Sequence, residues 1–278
     1  MQQRTKEWLE FRKNKIGASD APCIMGVGFK TPLQLWKTKR GELQEEEAHY
    51  MHRGTVMEPE ALKRVEDKLG MQFFQPVVTH KELPWMIASM DGLDFSGKTA
   101  VEIKCPGRKD HSSALEGKIP EKYFPQLQHQ LEVCELDKIF YYSFDGNDGV
   151  LLELGRDDKY IKKMISKEEK FYECMLSGEA PPLSDKDYVL RDDQEWRDTE
   201  VLWADAYSRL KEAKDAEEKL RKALIELSEN ANSMGQYARL TAFKTKGRVN
   251  YSKIPELIGV DLDQYRGNDI ESYRLSSI

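Results

Sequence analysis

Two neighbouring segments, Ser89-Met90-Asp91-Gly92 and Val101-Glu102-Ile103-Lys104, hold the residue types best suited to chemistry. Side chains alternate along a strand, so Glu102 and Lys104 share one face while Val101 and Ile103 point into the sheet. Ser89 and Asp91 share a face by the same rule. If residues 92–98 turn the chain, Asp91 comes beside Glu102, and two carboxylates and an ammonium meet at one sheet edge. Mg²⁺ is a hard cation that takes oxygen ligands, so Asp91, Glu102 and the backbone carbonyl of Ile103 suit it, with positions left for water and phosphate. A bound ion of this kind acidifies a water and offsets charge on a phosphoryl group, while Lys104 orients that water or stabilises the anion that forms. The plainer alternative makes Asp91 a turn residue and Glu102 and Lys104 a solvated strand face. The otherwise apolar VEIK strand argues against it, because two charges on such a strand are poor surface decoration.

Other clusters offer less. His129 and the pair His49/His52 invite a metal assignment, but a carboxylate site for a hard cation already accounts for the chemistry. Gly26-Val27-Gly28-Phe29-Lys30-Thr31 has the look of a phosphate loop but lacks the GxxxxGK[ST] spacing, which disfavours a kinase or helicase. Cys23, Cys105, Cys134 and Cys174 are far apart and form no zinc or iron–sulfur pattern. With no apolar signal core at the N-terminus and no apolar run near the ~20 residues of a membrane span, a cytoplasmic protein with reduced thiols and no membrane partner is expected. The net charge of −6 does not exclude a nucleic-acid partner, because charge is uneven: residues 1–40 carry nine Lys/Arg against Glu7, Glu10 and Asp20. Screening confines the relevant field to about 10 Å, so a local basic face still attracts phosphate.

The elements that position these residues follow from periodicity and punctuation. Helices are predicted over 5–15, over the PLQLWKTKR segment between Thr31-Pro32 and Gly41, and over 55–69, 121–135 and 158–177. Strands are predicted at 72–80, 85–91, 99–104, 138–144 and 149–155. A long polar helix at roughly 192–230 follows the turn-rich GEAPPLSDKD, and a small strand-rich cap with a short helix (KIPELIGV) closes the chain. The pattern predicts an α/β core at residues 1–180 and a helical extension with its cap at 181–278, packed on the core or on a neighbouring subunit. Leu202, Leu210, Leu220, Leu224 and Leu227 of the extension need such a cover.

Five ordered blocks carry a family resemblance: Trp8…Arg12…Ile16-Gly17-Ala18-Ser19-Asp20-Ala21; Arg53-Gly54…Glu58; Ser89-Met90-Asp91-Gly92; Glu102-Ile103-Lys104-Cys105-Pro106; and Gln126-Leu127-Gln128. Over about residues 7–155 the chain resembles the YqaJ-type viral recombinase, phage lambda exonuclease-like family of the PD-(D/E)xK nuclease superfamily. The resemblance implies a restriction-endonuclease-like core, a mixed central sheet flanked by helices. It implies a metal site of Asp91, Glu102 and the Ile103 carbonyl, completed by Glu58 through water, with Lys104 as the catalytic lysine. It also implies a catalytic role for Gln126 or Gln128 without saying which, and a 5′-phosphate site of Arg12, Ser19 and Ser89. Gly17 stands where some relatives carry a hydroxyl residue. The implied activity is Mg²⁺-dependent (or Mn²⁺-dependent) 5′→3′ digestion of one strand of linear double-stranded DNA, leaving 3′ overhangs for recombination. A ring-shaped homotrimer and a single-strand annealing protein are the implied partners. A sequence- or structure-specific endonuclease and a non-catalytic DNA-end-binding scaffold are the rivals, since one fold hosts several functions.

Overall fold

Thr5 accepts the Trp8 backbone N–H and so starts helix α1 (Lys6–Lys13) in the computed structural model. The structure describes residues 3–43, 49–229 (side chains of 49–52 excepted) and 231–244, with isolated positions at 247, 254, 255 and 260. Most of the predicted KIPELIGV helix (253 and 256–259) and the side chains of His49 and His52 lie outside the described residues. The chain divides into two compact units, Met1–Val189 and Leu190–Ile278.

In the first unit, α1 leads into a short strand β1 (Ile16–Gly17), helix α2 (Ala21–Met25) and helix α3 (Pro32–Lys39). Helix α3 begins as its sequence predicts, with Thr31 and Gln34 forming a reciprocal capping box and Pro32 at the first helical position. Helix α4 spans His49–Leu69 and ends at Gly70 with φ +64°. Strands β2 (Phe73–Phe74), β3 (Val77–Thr79), β4 (Met86–Ser89), β5 (Gly92–Asp94) and β6 (Ala100–Lys104) follow. Helices α5 (Arg108–Leu115) and α6 (Phe124–Val133) cross over to strand β7 (Lys138–Phe144), which turns into β8 (Gly149–Gly155) and helix α7 (Asp158–Ser177).

Two sheets result, ordered β1-β4-β3 and β2-β5-β6-β7-β8. The second is mixed: β6 and β7 run parallel, joined by the helical crossover, and its other pairs are antiparallel. Alternation along β6 and β7 sorts the core. Val101, Ile103, Tyr142 and Phe144 pack on Ala61 and Val65 of α4. Ala100, Ile139 and Tyr141 face the other way, onto Leu127 and Leu131 of α6 and Ile161 and Met164 of α7.

Three sequence expectations need correction. The predicted strand 72–80 breaks at Pro76, which has no N–H to give a ladder, and its halves join different sheets. Residues 92–98 are not one turn: 92–94 are strand β5, and the reversal at 95–99 is held by Asp94, whose carboxylate accepts the N–H groups of Ser96, Lys98 and Thr99. Strand β6 is not a sheet edge but an interior strand with helices over both faces. The two-residue β1 and the short α2 and α5 were too brief for periodicity to reveal.

A buried ion pair ties β4, α6 and α7 together. His129 Nδ1 lies 2.9 Å from Glu168 Oε1 and Nε2 lies 3.0 Å from the Ile87 carbonyl. Both neighbours are acceptors, so the ring donates from both nitrogens as an imidazolium. Burial opposes that charge, but Glu168, the Ile87 carbonyl and the more distant Asp20 hold its pKa above the ordinary histidine value. Replacing His129 by Phe is expected to cost about 3–5 kcal/mol in urea denaturation, because Glu168 is left buried and unpaired. In the wild type, the stabilisation is complete below the ordinary histidine pKa and is lost as pH rises through the raised one. Stability that stays flat from neutral to mildly alkaline pH would contradict this.

In the second unit, Asp193 caps helix α8 (Gln194–Leu227), and a two-stranded antiparallel ladder of β9 (Ser233–Met234) and β10 (Arg239–Leu240) follows. Pairs one turn apart, such as Glu218 with Lys222, brace the helix. Leu202, Leu210, Leu220, Leu224 and Leu227 are all exposed. Among the described residues, no helix is long and apolar enough to cross a membrane.

Candidate active site

Strand β5 pairs with β6 only at Gly92↔Val101 and Leu93↔Ala100. Just before Gly92 the chain passes from one sheet to the other, and Asp91 sits at that crossing. The N–H of Ile103 therefore has no β5 partner, and Asp91 Oδ2 accepts it at 2.9 Å. A strand residue projects its N–H and C=O to the same side, so the Ile103 carbonyl is also turned toward Asp91. Gly92 is required by close approach: a Cβ there would come within 2.6 Å of Val101 Cγ1 and 3.0 Å of Phe73 Cβ.

Glu102 is 1% exposed and faces α6. Its Oε1 accepts from Lys104 Nζ and from Gln126 Nε2, each at 2.5 Å, and its Oε2 accepts from Gln130 Nε2 at 2.5 Å. A solvated strand face is thus excluded for this residue. Burial, then the charge of Glu102 and more weakly that of Glu58, push the Asp91 carboxyl well above the usual range, against the pull of Lys104. Burial works against the Lys104 ammonium, but Glu102 and Asp91 outweigh it and raise its pKa.

Glu58, on α4, is held by Arg4 Nη2 at 2.5 Å and Gln75 Nε2 at 3.0 Å. Gln3 Nε2 donates to the Met90 carbonyl at 2.9 Å, so the segment before α1 lies against both β4 and α4. Gln3, Arg4, Thr5, Glu58 and Gln75 line a cavity of about 430 Å³ there. Among the described residues no three His, Cys, Asp or Glu side chains gather as a ready-made metal cage.

The two expected glutamines separate. Gln126 reaches Glu102, whereas Gln128 donates to the Gly155 carbonyl and accepts the Asp157 N–H, so its amide braces the end of β8 instead. Gln130, which was not singled out for the site, shares Glu102 with Gln126. Its i, i+4 spacing from Gln126 was the available signal.

Arg12, Ser19 and Ser89 are brought into one network. Arg12 Nη2 donates to Ser19 Oγ at 3.0 Å, its guanidinium lies 4.5 Å over the Trp8 ring, and Trp8 Nε1 donates to Ser89 Oγ at 3.0 Å. Arg12 also lies 3.6 Å from Asp20, whose other neighbours are Lys39 Nζ at 2.8 Å and the Gly17 N–H at 2.8 Å. Burial disfavours the Asp20 charge, but Lys39 and Arg12 overcome it and lower its pKa. The structure thus aims Arg12 at the Gly17–Asp20 turn, where its charge partner is Asp20.

A sheet with this order, carrying Asp91 where β5 leaves β6 and Glu102 and Lys104 on the interior strand, defines a restriction-endonuclease-like fold. An alkaline exonuclease from Laribacter hongkongensis shares it, with a TM-score of 0.56 at 24% identity over 63% of this chain and 94% of that one. The same enzyme solved in complex with dAMP matches equally, again with a TM-score of 0.56. Residues 7–137 match the YqaJ-like viral recombinase domain. The Bacillus subtilis (strain 168) protein YqaJ is 31% identical over 186 residues, which are 64% of this chain and 58% of that protein. The chain thus spans less than two thirds of the length of that relative.

Proposed function

We propose that this chain is a divalent-metal-dependent deoxyribonuclease that enters linear double-stranded DNA at an end and digests one strand 5′→3′, leaving a 3′ overhang for recombination. The observation that carries this reading is the meeting of Asp91, Glu102 and Lys104 where β5 parts from β6. The donors fit a hard cation: burial, and then the neighbouring charge of Glu102, raise the pKa of Asp91, and a divalent charge relieves that repulsion. Asp91, Glu102 and the Ile103 carbonyl would hold Mg²⁺, or Mn²⁺ in its place, with Glu58 joining through water. When bound, the ion supplies an acidified water and offsets charge on the phosphoryl group.

The remaining work falls to the chain itself. Gln126 and Gln130 fix the rotamer of Glu102 by donating to both its oxygens. Lys104 Nζ, held on Glu102, would donate to the attacking water or to the phosphoryl anion as charge builds there. Arg12, with Ser19 and Ser89 beside it, binds the terminal 5′-phosphate. The family resemblance extends the proposal to a ring-shaped homotrimer, whose contacts would cover the exposed leucines of α8, and to a single-strand annealing protein that takes the overhang.

Digestion of linear duplex labelled at either end, beside a covalently closed circle, tests the reading. Label lost first from the 5′ end, with the circle intact, supports it. A cut circle points to an endonuclease, and binding without cleavage points to a DNA-end scaffold.

The phosphate pocket makes a separate prediction. Arg12→Ala is expected to lower the preference for 5′-phosphorylated over 5′-hydroxyl ends by about ten- to a hundredfold, as loss of a charge-assisted contact of about 1.5–3 kcal/mol implies. Rates on both ends are the measurement. An unchanged ratio would reduce Arg12 to a structural partner of Asp20.

A further inference from the structure

The Gly26–Lys30 loop, which resembles a phosphate loop in sequence only, is built to present one aromatic ring. Gly26 ends α2 with φ +86°, and the N–H groups of Val27 and Gly28 both return to the Pro22 carbonyl, at 3.0 and 2.8 Å. Gly28 lies so close to Cys23 that a Cβ would meet its backbone nitrogen at 2.7 Å. These contacts pin the loop against α2, and the next residue, Phe29, stands 74% exposed. A phenyl ring held outward by a tightly tied loop loses little conformational entropy when something stacks on it.

Its neighbours give that surface a charge and a direction. Lys122 Nζ lies 4.8 Å from the Phe29 ring centroid and 5.1 Å from that of Tyr123, and Asp110 fixes it at 2.5 Å. Lys104 Nζ also lies 5.5 Å from the Tyr123 ring and binds Glu102. Ammonium groups and aromatic rings therefore alternate from the exposed Phe29 to the carboxylate of the active site. Aromatic platforms beside cations are the physical basis of single-strand binding: bases stack on the rings while phosphates meet the cations.

We infer that Phe29, with Lys122 and Tyr123 behind it, is a stacking platform for an unpaired nucleobase close to the scissile phosphate, separating the strand being cut from its complement. This rests on the nuclease function proposed above. The exposed pair Phe74 and Phe95 stacks on itself at 5.4 Å and carries no such link to the site.

The test uses the full chain and linear 5′-phosphorylated duplex carrying 2-aminopurine near its end, with binding and fluorescence read in EDTA and nucleotide release read separately in Mg²⁺. Wild-type protein is expected to quench the 2-aminopurine. Phe29→Ala is expected to lose the quenching and bind about tenfold more weakly, as loss of one base–aromatic stack implies. Phe29→Trp should retain both, and Phe29→Leu, apolar but without a ring face, should behave like the alanine variant. Quenching and affinity retained by Phe29→Ala, or by Phe29→Leu, would overturn the inference. So would a change confined to particle mass in light scattering, which would make the ring a contact between copies of the chain. If wild-type protein releases no nucleotides in Mg²⁺, the nuclease reading fails. If it does, and Phe29→Ala matches it in every assay, only the platform fails.

Discussion

Asp91→Asn is expected to lower nucleotide release from linear duplex about a thousandfold or more, while raising the melting temperature measured in EDTA. The two effects share one cause. Asparagine still accepts the Ile103 N–H that Asp91 Oδ2 accepts at 2.9 Å, so the local backbone is kept. The charge that burial and Glu102 make unfavourable is removed. A carboxyl whose pKa is raised on folding binds more protons folded than unfolded, so it weakens the fold as pH rises through that interval. Its removal should stabilise the protein at neutral pH and flatten that dependence. Catalysis is lost because a ligand for the cation is gone, an effect of several kcal/mol, at about 1.4 kcal/mol per tenfold. Single-turnover rates and calorimetric melting check both halves. Wild-type-like turnover, or a melting temperature lowered by several degrees, would count against the assignment.

Lys104→Ala is the second large effect. Its expected cost is about a hundred- to a thousandfold in single-turnover rate, the range for losing one donor aimed at developing charge. Metal affinity should hold or tighten, since Lys104 Nζ occupies Glu102 Oε1 at 2.5 Å and competes for that oxygen. Lys104→Arg should rescue poorly, because the planar fork replaces a compact ammonium wedged between Glu102 and the Tyr123 ring. Retention of most of the activity by the alanine variant, or a large loss of Mn²⁺ affinity, would move Lys104 out of the proposed role.

Much of the scaffold was legible where local signals were strong. Strands 138–144 and 149–155 and helix 158–177 follow their sequence limits, because alternation, the Asp157 cap and Gly178 all mark them locally. Glu102 and Lys104 share a face because pleating requires it. What escaped was tertiary. Pro76 divides a run that reads as one strand, and the passage from sheet to sheet at Asp91 depends on β1 pairing with β4, a contact of two residues at a separation of about seventy. Helical spacing set Gln126 and Gln130 on one side and Gln128 on another, but only the packing of α6 on β6 shows which side meets Glu102. The Arg4–Glu58 and Trp8–Ser89 contacts likewise join segments that no local periodicity relates. His129 is not on the same footing as a metal ligand, since both of its nitrogens already face acceptors.

The central claim is that Asp91 and Glu102 bind a divalent ion that this chain needs in order to hydrolyse phosphodiesters. The most direct measurement is nucleotide release from 5′-labelled linear duplex by wild-type protein and Asp91→Asn, each in Mg²⁺ and in EDTA. The account predicts release only by the wild type and only with Mg²⁺, restored when the metal is added back after EDTA. Hydrolysis by wild-type protein in EDTA, or equal release by the two proteins in Mg²⁺, would contradict it.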